Sequence, residues 1–322
     1  LAVVLLLLAS LLTGPAGVGL SEGVKALVLG TAAEREATVL IMREIRLPRA
    51  LLGLLIGAAL GLSGAALQGY LRNPLAEPGL IGVSAGGTLG AVLAIHTGLA
   101  GLTVLALPFA GLAGAFVAVA VVLGLAGLRG GPLTLILAGV AVTSVCGALT
   151  ALALSLSRNP YATTEILFWM LGSLSDRSLL HAALAALLIL PGLALLLSTG
   201  RALEALTLGE DAAASLGIDL DHARRLLVLG VALAVGAATS VAGTIGFVGL
   251  VVPHLIRPLA RGRPGLLLLP SLLGGGALVL AADVVVRLFG DTGELKLGVL
   301  TSIIGAPFFL YLVLKSRKEL VA

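Results

Sequence analysis

The sequence predicts an all-α, polytopic membrane protein of about ten transmembrane helices, and three observations carry that prediction. Apolar residues make up 59% of the 322-residue chain and charged residues 11%, against about 25% charged in a soluble domain. Mean hydropathy is +1.16. Uncharged stretches of roughly 18 residues or more, enough to cross a ~30 Å hydrocarbon core as a helix, recur along the whole chain. Helices satisfy their own backbone polar groups in lipid, and the ~10-residue alternating strands of a membrane barrel are not seen.

The stretches are 1–21, 50–71, 78–128, 130–157, 178–200, 226–256, 264–282 and 297–314. The opening run Leu1–Leu12 reads as a first membrane helix missing its start; the rival reading, a signal-peptide core, lacks a small-residue cleavage site. Residues 50–71 form the second span. The stretch 78–128 would measure about 77 Å at 1.5 Å per residue, so it folds back near Gly98–Pro108 into a third and a fourth. Residues 130–157 and 178–200 supply the fifth and sixth. The stretch 226–256, about 46 Å long, is interrupted by Gly243, Gly246, Gly249 and Pro253. It is expected to hold one full span and a shorter one ending near Arg257. The last two stretches complete ten, in a single transmembrane domain over 1–322.

Ten spans place Arg72, Arg129, Arg201, Arg224, Arg225, Arg257, Arg261, Arg263, Lys315, Arg317 and Lys318 on one side, 11 of the 20 basic residues. The positive-inside rule makes that side, and both termini, cytoplasmic. Nine spans would put the last two basic clusters outside. An internal echo accompanies the count. Gly57-Ala58-Ala59 with Gly64 recurs as Gly236-Ala237-Ala238 with Gly243, and Thr143-Ser144 with Gly147-Ala148 recurs as Thr301-Ser302 with Gly305-Ala306. Five spans separate each pair, which is the spacing of inverted transporter repeats; chance agreement among small residues is the alternative. The 44 glycines let helix backbones approach closely.

Several chemistries are excluded. The lone cysteine, Cys146, rules out a disulfide framework or multi-cysteine metal site, and a net charge of +4 does not call for nucleic acid. No GxxxxGK[ST] loop is present, so ATP chemistry belongs to another subunit. Neither an HExxH nor a convergent Ser/His/Asp set marks an intramembrane enzyme. Carboxylates and histidines that would carry a coupling ion are few. Asp283 has Arg287 four positions on, on the same helix face, which reads as a structural ion pair. His96, His181 and His254 read as hydrogen-bonded structure. An ion-coupled secondary transporter remains the alternative class.

Two charged regions are distinctive. Arg43, Arg46 and Arg49 cluster on the outer face before the second span, where they either snorkel to lipid headgroups or offer exposed charge to an acidic partner. Between the sixth and seventh spans, about 201–223, Leu203, Leu206 and Leu208 fit a short helix ending near Gly209. Glu210 and Asp211 suit the first turn of the next, Ala212, Ala213 and Ala214 propagate it, and Gly217 suits its cap. The result is a compact knob, with an ordinary cytosolic linker as the plainer reading.

Longer motifs carry a resemblance. Arg46-Leu-Pro-Arg49, Gly64-Ala-Ala-Leu-Gln68, Arg72-Asn-Pro-Leu-Ala-Glu-Pro-Gly-Leu-Ile-Gly-Val-Ser-Ala-Gly86, Leu137-Ala-Gly-Val140 and Phe168-Trp-Met-Leu-Gly-Ser173 occur in order. Leu208-Gly-Glu-Asp-Ala-Ala with Leu216-Gly217, Gly246-Phe-Val-Gly-Leu-Val-Val-Pro-His-Leu-Ile-Arg257, Ala282-Asp283 with Arg287, and Gly305-Ala-Pro307 follow. Over residues 40 to 315 the chain resembles the FecCD-type permeases, the membrane subunits of ABC importers for iron-siderophores, haem and vitamin B12.

The resemblance implies the type II importer fold in a bacterial inner membrane, a homodimer around a central path, two cytoplasmic ATPase subunits and a periplasmic binding protein. It implies a non-catalytic subunit with no tightly bound cofactor. The knob residues Leu208, Gly209, Glu210, Asp211, Ala212, Ala213, Leu216 and Gly217 would couple to the ATPases. Arg46, Arg49 and Arg287 would dock the binding protein. Asn73 and Leu75, with Gly131, Pro132 and Leu133, would narrow the cytoplasmic end of the path, although Gly131-Pro132 departs from the more polar residues of some relatives. Arg158 would lie near the outer mouth. Phe168–Arg177 is similar to haem-importing members, and Arg158 and Arg177 could attract haem propionates or simply anchor helix ends. The expected cargo is therefore haem, then a ferric siderophore, then vitamin B12.

Overall fold

The computed structural model describes residues 1–14, 23, 25, 36–127, 131–289 and 295–321, with side chains as far as Lys315. Arg129 and the side chains of Arg317 and Lys318, used above for orientation, lie outside the described residues. The described residues form helices and no strand. In order these are α1 (Ala2–Leu12), α2 (Ala37–Tyr70), α3 (Val83–His96), α4 (Ala106–Ala126), α5 (Pro132–Leu156), α6 (Pro160–Met170) and α7 (Leu179–Ser198). There follow α8 (Gly200–Leu206), α9 (Glu210–Ser215), α10 (Leu220–Ala242), α11 (Val248–Ile256), α12 (Pro264–Leu288) and α13 (Leu297–Val321).

Among the described residues seven helices, α2, α4, α5, α7, α10, α12 and α13, are long and apolar enough to cross a membrane. Three shorter apolar helices, α1, α3 and α11 with its extension to Ala260, fall where the first, third and eighth spans are expected. The fold-back within 78–128 is a 3-10 turn at Leu99–Gly101, entered through Gly98 at φ 77°. The division of 226–256 falls between Gly243 at φ 74° and Phe247 at φ 66°.

The short helices have a physical cause. At 1.5 Å per residue α3 is about 21 Å long, too short to span alone. The segment 71–82 returns from the end of α2 into the bundle before α3 starts, packing so closely on α5 that a Cβ on Gly139, a third of the way along that helix, would overlap the Leu80 carbonyl. The break at 243–247 sets α11 inside the bundle in the same way, and the two irregular segments meet. A Cβ on Gly249 would stand 2.6 Å from Pro78 Cδ. Gln68 Nε2 donates to the carbonyls of Ala76 (3.3 Å) and Gly249 (3.2 Å), and Arg257 Nη2 donates to Gln68 Oε1 (2.9 Å). Non-helical backbone at this depth is tolerated because protein groups satisfy it.

Two helices form the middle. The apolar windows of α2 and α10 are 83% and 78% buried, against 28–44% for the other long spans, and the chain wraps around them. Their contacts explain the sequence echo. Gly57 of α2 lies against Gly275 of α12, and Gly236 of α10 lies against Ala115 of α4. In span order these are second on ninth and seventh on fourth, so a shift of five converts one contact into the other. The second echo is looser: a Cβ on Gly305 would overlap Phe247, whereas one on Gly147 meets nothing within 4 Å.

Close approach makes particular glycines obligatory. A Cβ on Gly64 would overlap the Gly249 carbonyl of α11, so Gly64→Leu must force α2 and α11 apart. Overpacking costs about 1–3 kcal/mol or more. The expected outcome is loss of monodisperse protein by size exclusion in detergent, while Gly147→Ala, with open space, elutes as the wild type does.

Candidate functional site

A cavity of about 570 Å³ opens where the two irregular segments meet α3 and α5. Its polar lining is Glu77, Ser84, Thr88, Thr143, Thr150 and Thr244, and Leu80, Leu154 and Met170 supply apolar walls. From α5 come Thr143, Gly147, Thr150 and Leu154, spaced three and four apart, which puts them on one helix face. Thr88 Oγ1 donates to the Ser84 carbonyl (2.8 Å) and stands 3.1 Å from Thr244 Oγ1. Since the Thr88 proton is used, Thr244 is the donor of that second bond. Thr239 Oγ1 donates to Ser84 Oγ at 3.4 Å. Glu77 is part-buried, with Oε1 turned back towards Gly79 and the Phe247 backbone N–H facing its carboxylate. Among the described lining residues it is the one charged group.

None of the residues expected to form the path lines this cavity. Asn73 accepts from the Leu75 backbone N–H (2.9 Å) and lines a second cavity of about 350 Å³ with Arg72, Arg257 and Arg263. Leu75 packs beside Leu250, Val251 and Leu312. Gly131 and Pro132 open α5 as N-cap and first turn, where proline's missing N–H costs nothing. Leu133 is 68% exposed, at the opposite end of α5 from the exposed Arg158. The cavity residues were missed because single Ser and Thr residues in an apolar run carry no local signal. The three-and-four spacing of Thr143, Gly147, Thr150 and Leu154 could have shown the α5 face, but not what it opposes.

Arg46, Arg49 and Arg287, expected to dock a binding protein through exposed charge, are buried or part-buried in this chain. Arg46 is 3% exposed and donates through Nη1 to the carbonyls of Leu11 and Leu12, both at 3.0 Å. Arg287 Nη1 donates to the carbonyls of Ser10 (2.7 Å) and Thr13 (2.8 Å), and its Nη2 to Ser10 Oγ (2.7 Å). Asp283, 1% exposed, pairs with Arg49 at 2.8 Å and Arg287 at 3.0 Å. The ion pair read from the sequence is present, with Arg49 as a third member. Physically this is a helix cap: the last carbonyls of α1 have no intrahelical partner, and cations are favoured at a helix C-terminus. Arg46 Nη1 and Arg287 are thereby engaged at the end of α1, and Arg49 is engaged with Asp283.

The knob folds as its sequence reads, with α8 ending at Leu206 rather than nearer Gly209. Gly209 adopts φ 101° and Gly217 φ 79°, conformations that glycine adopts without strain. The Ile218 N–H bonds the Ala213 carbonyl and the Gly217 N–H the Ala214 carbonyl, closing the end of α9. Ala213, Leu203 and Leu206 are buried beneath, while Leu208 and Leu216 stand 68% and 64% exposed. Glu210 and Arg72 are 3.8 Å apart, each half exposed.

Arg177 is tied to the fold through its Nε, which donates to the Val241 carbonyl (2.6 Å) at the C-terminal end of α10. Burial lowers the Arg177 pKa, with Asp176 opposing. His181 closes a capping box with Ser178 at the start of α7, the structural role expected for it.

Comparison with known proteins agrees with this geometry. The model of the FecCD transport family matches residues 2–315. The cobalamin import system permease protein BtuC of Halobacterium salinarum is 42% identical, with 86% of this chain and 74% of that protein covered. The uncharacterized ABC transporter permease protein YvrB of Bacillus subtilis is 40% identical, covering 86% and 80%. The vitamin B12 import system permease protein BtuC of Citrobacter koseri is 39% identical, covering 87% and 84%. A solved metal-chelate type ABC transporter in an inward-facing conformation superposes with a TM-score of 0.82 at 31% identity, covering 98% of this chain and 96% of that one.

Proposed function

Because this chain belongs to the FecCD transport family, the permease subunits of ABC importers, we propose that its cargo is a corrinoid of the vitamin B12 type. The observation that carries the choice is the cavity lining, which among the described residues offers five hydroxyl side chains and one carboxylate and no Arg, Lys or His. Haem presents two propionates, which a site built to receive them would meet with Arg or Lys. A corrinoid presents primary amides, whose N–H groups can donate to hydroxyl and carboxylate oxygens. The relatives named for cobalamin support the same choice over haem or a ferric siderophore, as does the engagement of Arg177 within the fold.

The remaining parts follow from this reading. The end bearing the knob, Arg72, Arg201, Arg261 and Lys315 faces the cytoplasm of a bacterial plasma membrane. Leu208 and Leu216 are apolar side chains at a polar end, the mark of a protein contact, and their partner is an ATPase subunit that supplies ATP hydrolysis. A second copy of this chain completes the path, and a binding protein delivers cargo at the opposite end, against the collar that Asp283 and its arginines hold in place.

The test is uptake in proteoliposomes containing the permease, its ATPase and its binding protein, supplied in turn with cobalamin, haem and a ferric siderophore. ATP-dependent accumulation of cobalamin at least tenfold above haem is expected. Preferential accumulation of haem would overturn the corrinoid reading and leave the permease assignment standing.

A further inference from the structure

The chemistry of the large cavity reaches beyond the kind of macrocycle to its charge. We propose that Glu77 makes this cavity an anion-excluding filter, passing cargo with neutral amide arms and holding back the same cargo when one arm is a carboxylate. This rests on the corrinoid reading.

Four observations carry it. Glu77 is the one charged side chain among the described lining residues, so no guanidinium or ammonium in the lining neutralises it. Burial raises its carboxyl pKa, and the Phe247 N–H that faces it pulls the other way, towards the ionised form. It stands at the meeting of the two irregular segments, since Pro78 packs on Gly249 and the Phe247 backbone faces Glu77. That place is fixed by backbone packing rather than by a mobile side-chain stem. Finally, the other polar groups are hydroxyls of Ser84, Thr88, Thr143, Thr150 and Thr244. A hydroxyl can donate or accept and tolerates either an amide or an acid, so the sign of selection is left to Glu77.

The size of the effect follows from Coulomb's law. Two like charges several ångströms apart at an effective dielectric near 20 repel enough to change a rate on the order of tenfold. The apolar walls at Leu80, Leu154 and Met170 keep that repulsion from being fully screened.

The experiment compares cobalamin with its monocarboxylic derivative, in which one peripheral amide is hydrolysed to the acid. Both are delivered by the same loaded binding protein to proteoliposomes containing the complete transporter. The readout is the acid-to-amide uptake ratio, whatever the absolute rates. Glu77→Gln keeps an oxygen for the Phe247 N–H and removes the charge, so it should raise that ratio on the order of tenfold. Gly147→Asp adds a second carboxylate to the cavity where a Cβ meets nothing within 4 Å, and should lower the ratio by a similar factor. It keeps the idea open to refutation should the Gln variant fold poorly. If both variants show the wild-type ratio, the filter is wrong and the corrinoid reading survives. If wild-type protein accumulates neither corrinoid, the cargo reading falls and the filter falls with it.

Discussion

Replacing Leu208 and Leu216 together with Glu should abolish ATP-driven uptake while leaving a folded permease in the membrane. Both side chains are largely exposed, at 68% and 64%, and substitutions at such positions usually change stability by no more than about 0.5 kcal/mol. Beneath them Ala213, Leu203 and Leu206 are buried, so the knob keeps its own small core. What the pair loses is its contact with a partner. Two apolar anchors that must bury against another subunit are worth about 1–2 kcal/mol each, and charges in their place add a desolvation cost. Association with the ATPase should weaken on the order of a hundredfold, read by co-purification from detergent, with ATP hydrolysis no longer producing uptake. Glu210→Lys is the gentler version. Its pairing with Arg72 at 3.8 Å is an exposed one worth about 0–1 kcal/mol, so folding is retained, and reversal of the charge should uncouple hydrolysis from transport. Normal transport by both variants would show that the knob is an ordinary linker.

Asp283→Ala should have the largest effect on stability. Asp283 is 1% exposed and holds Arg49 and Arg287 together, and those arginines stand beside Arg46, which with Arg287 caps the carbonyls of α1. Removing one partner of a buried pair costs about 3–5 kcal/mol, because the charge left behind has been taken from water without compensation. Here two guanidinium groups are left. The melting temperature in detergent should fall by roughly 10 °C, and Asp283→Asn, which keeps acceptor capacity, should fall by less. An unchanged melting temperature would mean that the cluster contributes nothing to holding α1, α2 and α12 together.

Much of this fold was legible in the sequence because the physics behind it is local and one-dimensional. The long uncharged runs became apolar helices, seven of them long enough to cross a membrane among the described residues, the fold-back near Gly98 and the break after Gly243 fell where glycine and length required them, and Asp283 met Arg287 one helical turn away. The knob was legible for the same reason, since Gly209 and Gly217 act on their own backbone. The site was legible only in part. Glu77 lay inside a recognised motif but gave no sign of facing a cavity, and Ser84, Thr88, Thr150 and Thr244 are scattered along the chain. They converge because two irregular segments far apart in sequence pack on each other through Pro78 and Gly249.

The sequence by itself therefore determined that the chain is built of apolar, membrane-length helices, where it turns and between which helices the knob lies, because hydrophobic length and helix termination are properties of single segments. Only the tertiary structure decided that Arg46 and Arg287 serve the end of α1 while Arg49 pairs with Asp283, and that one carboxylate faces the hydroxyls among the described lining residues of the cavity. Those outcomes depend on which helix ends come to lie side by side. Unpaired carbonyls and buried charges take whatever partner the packing brings within about 3 Å, and no spacing along the chain encodes that distance.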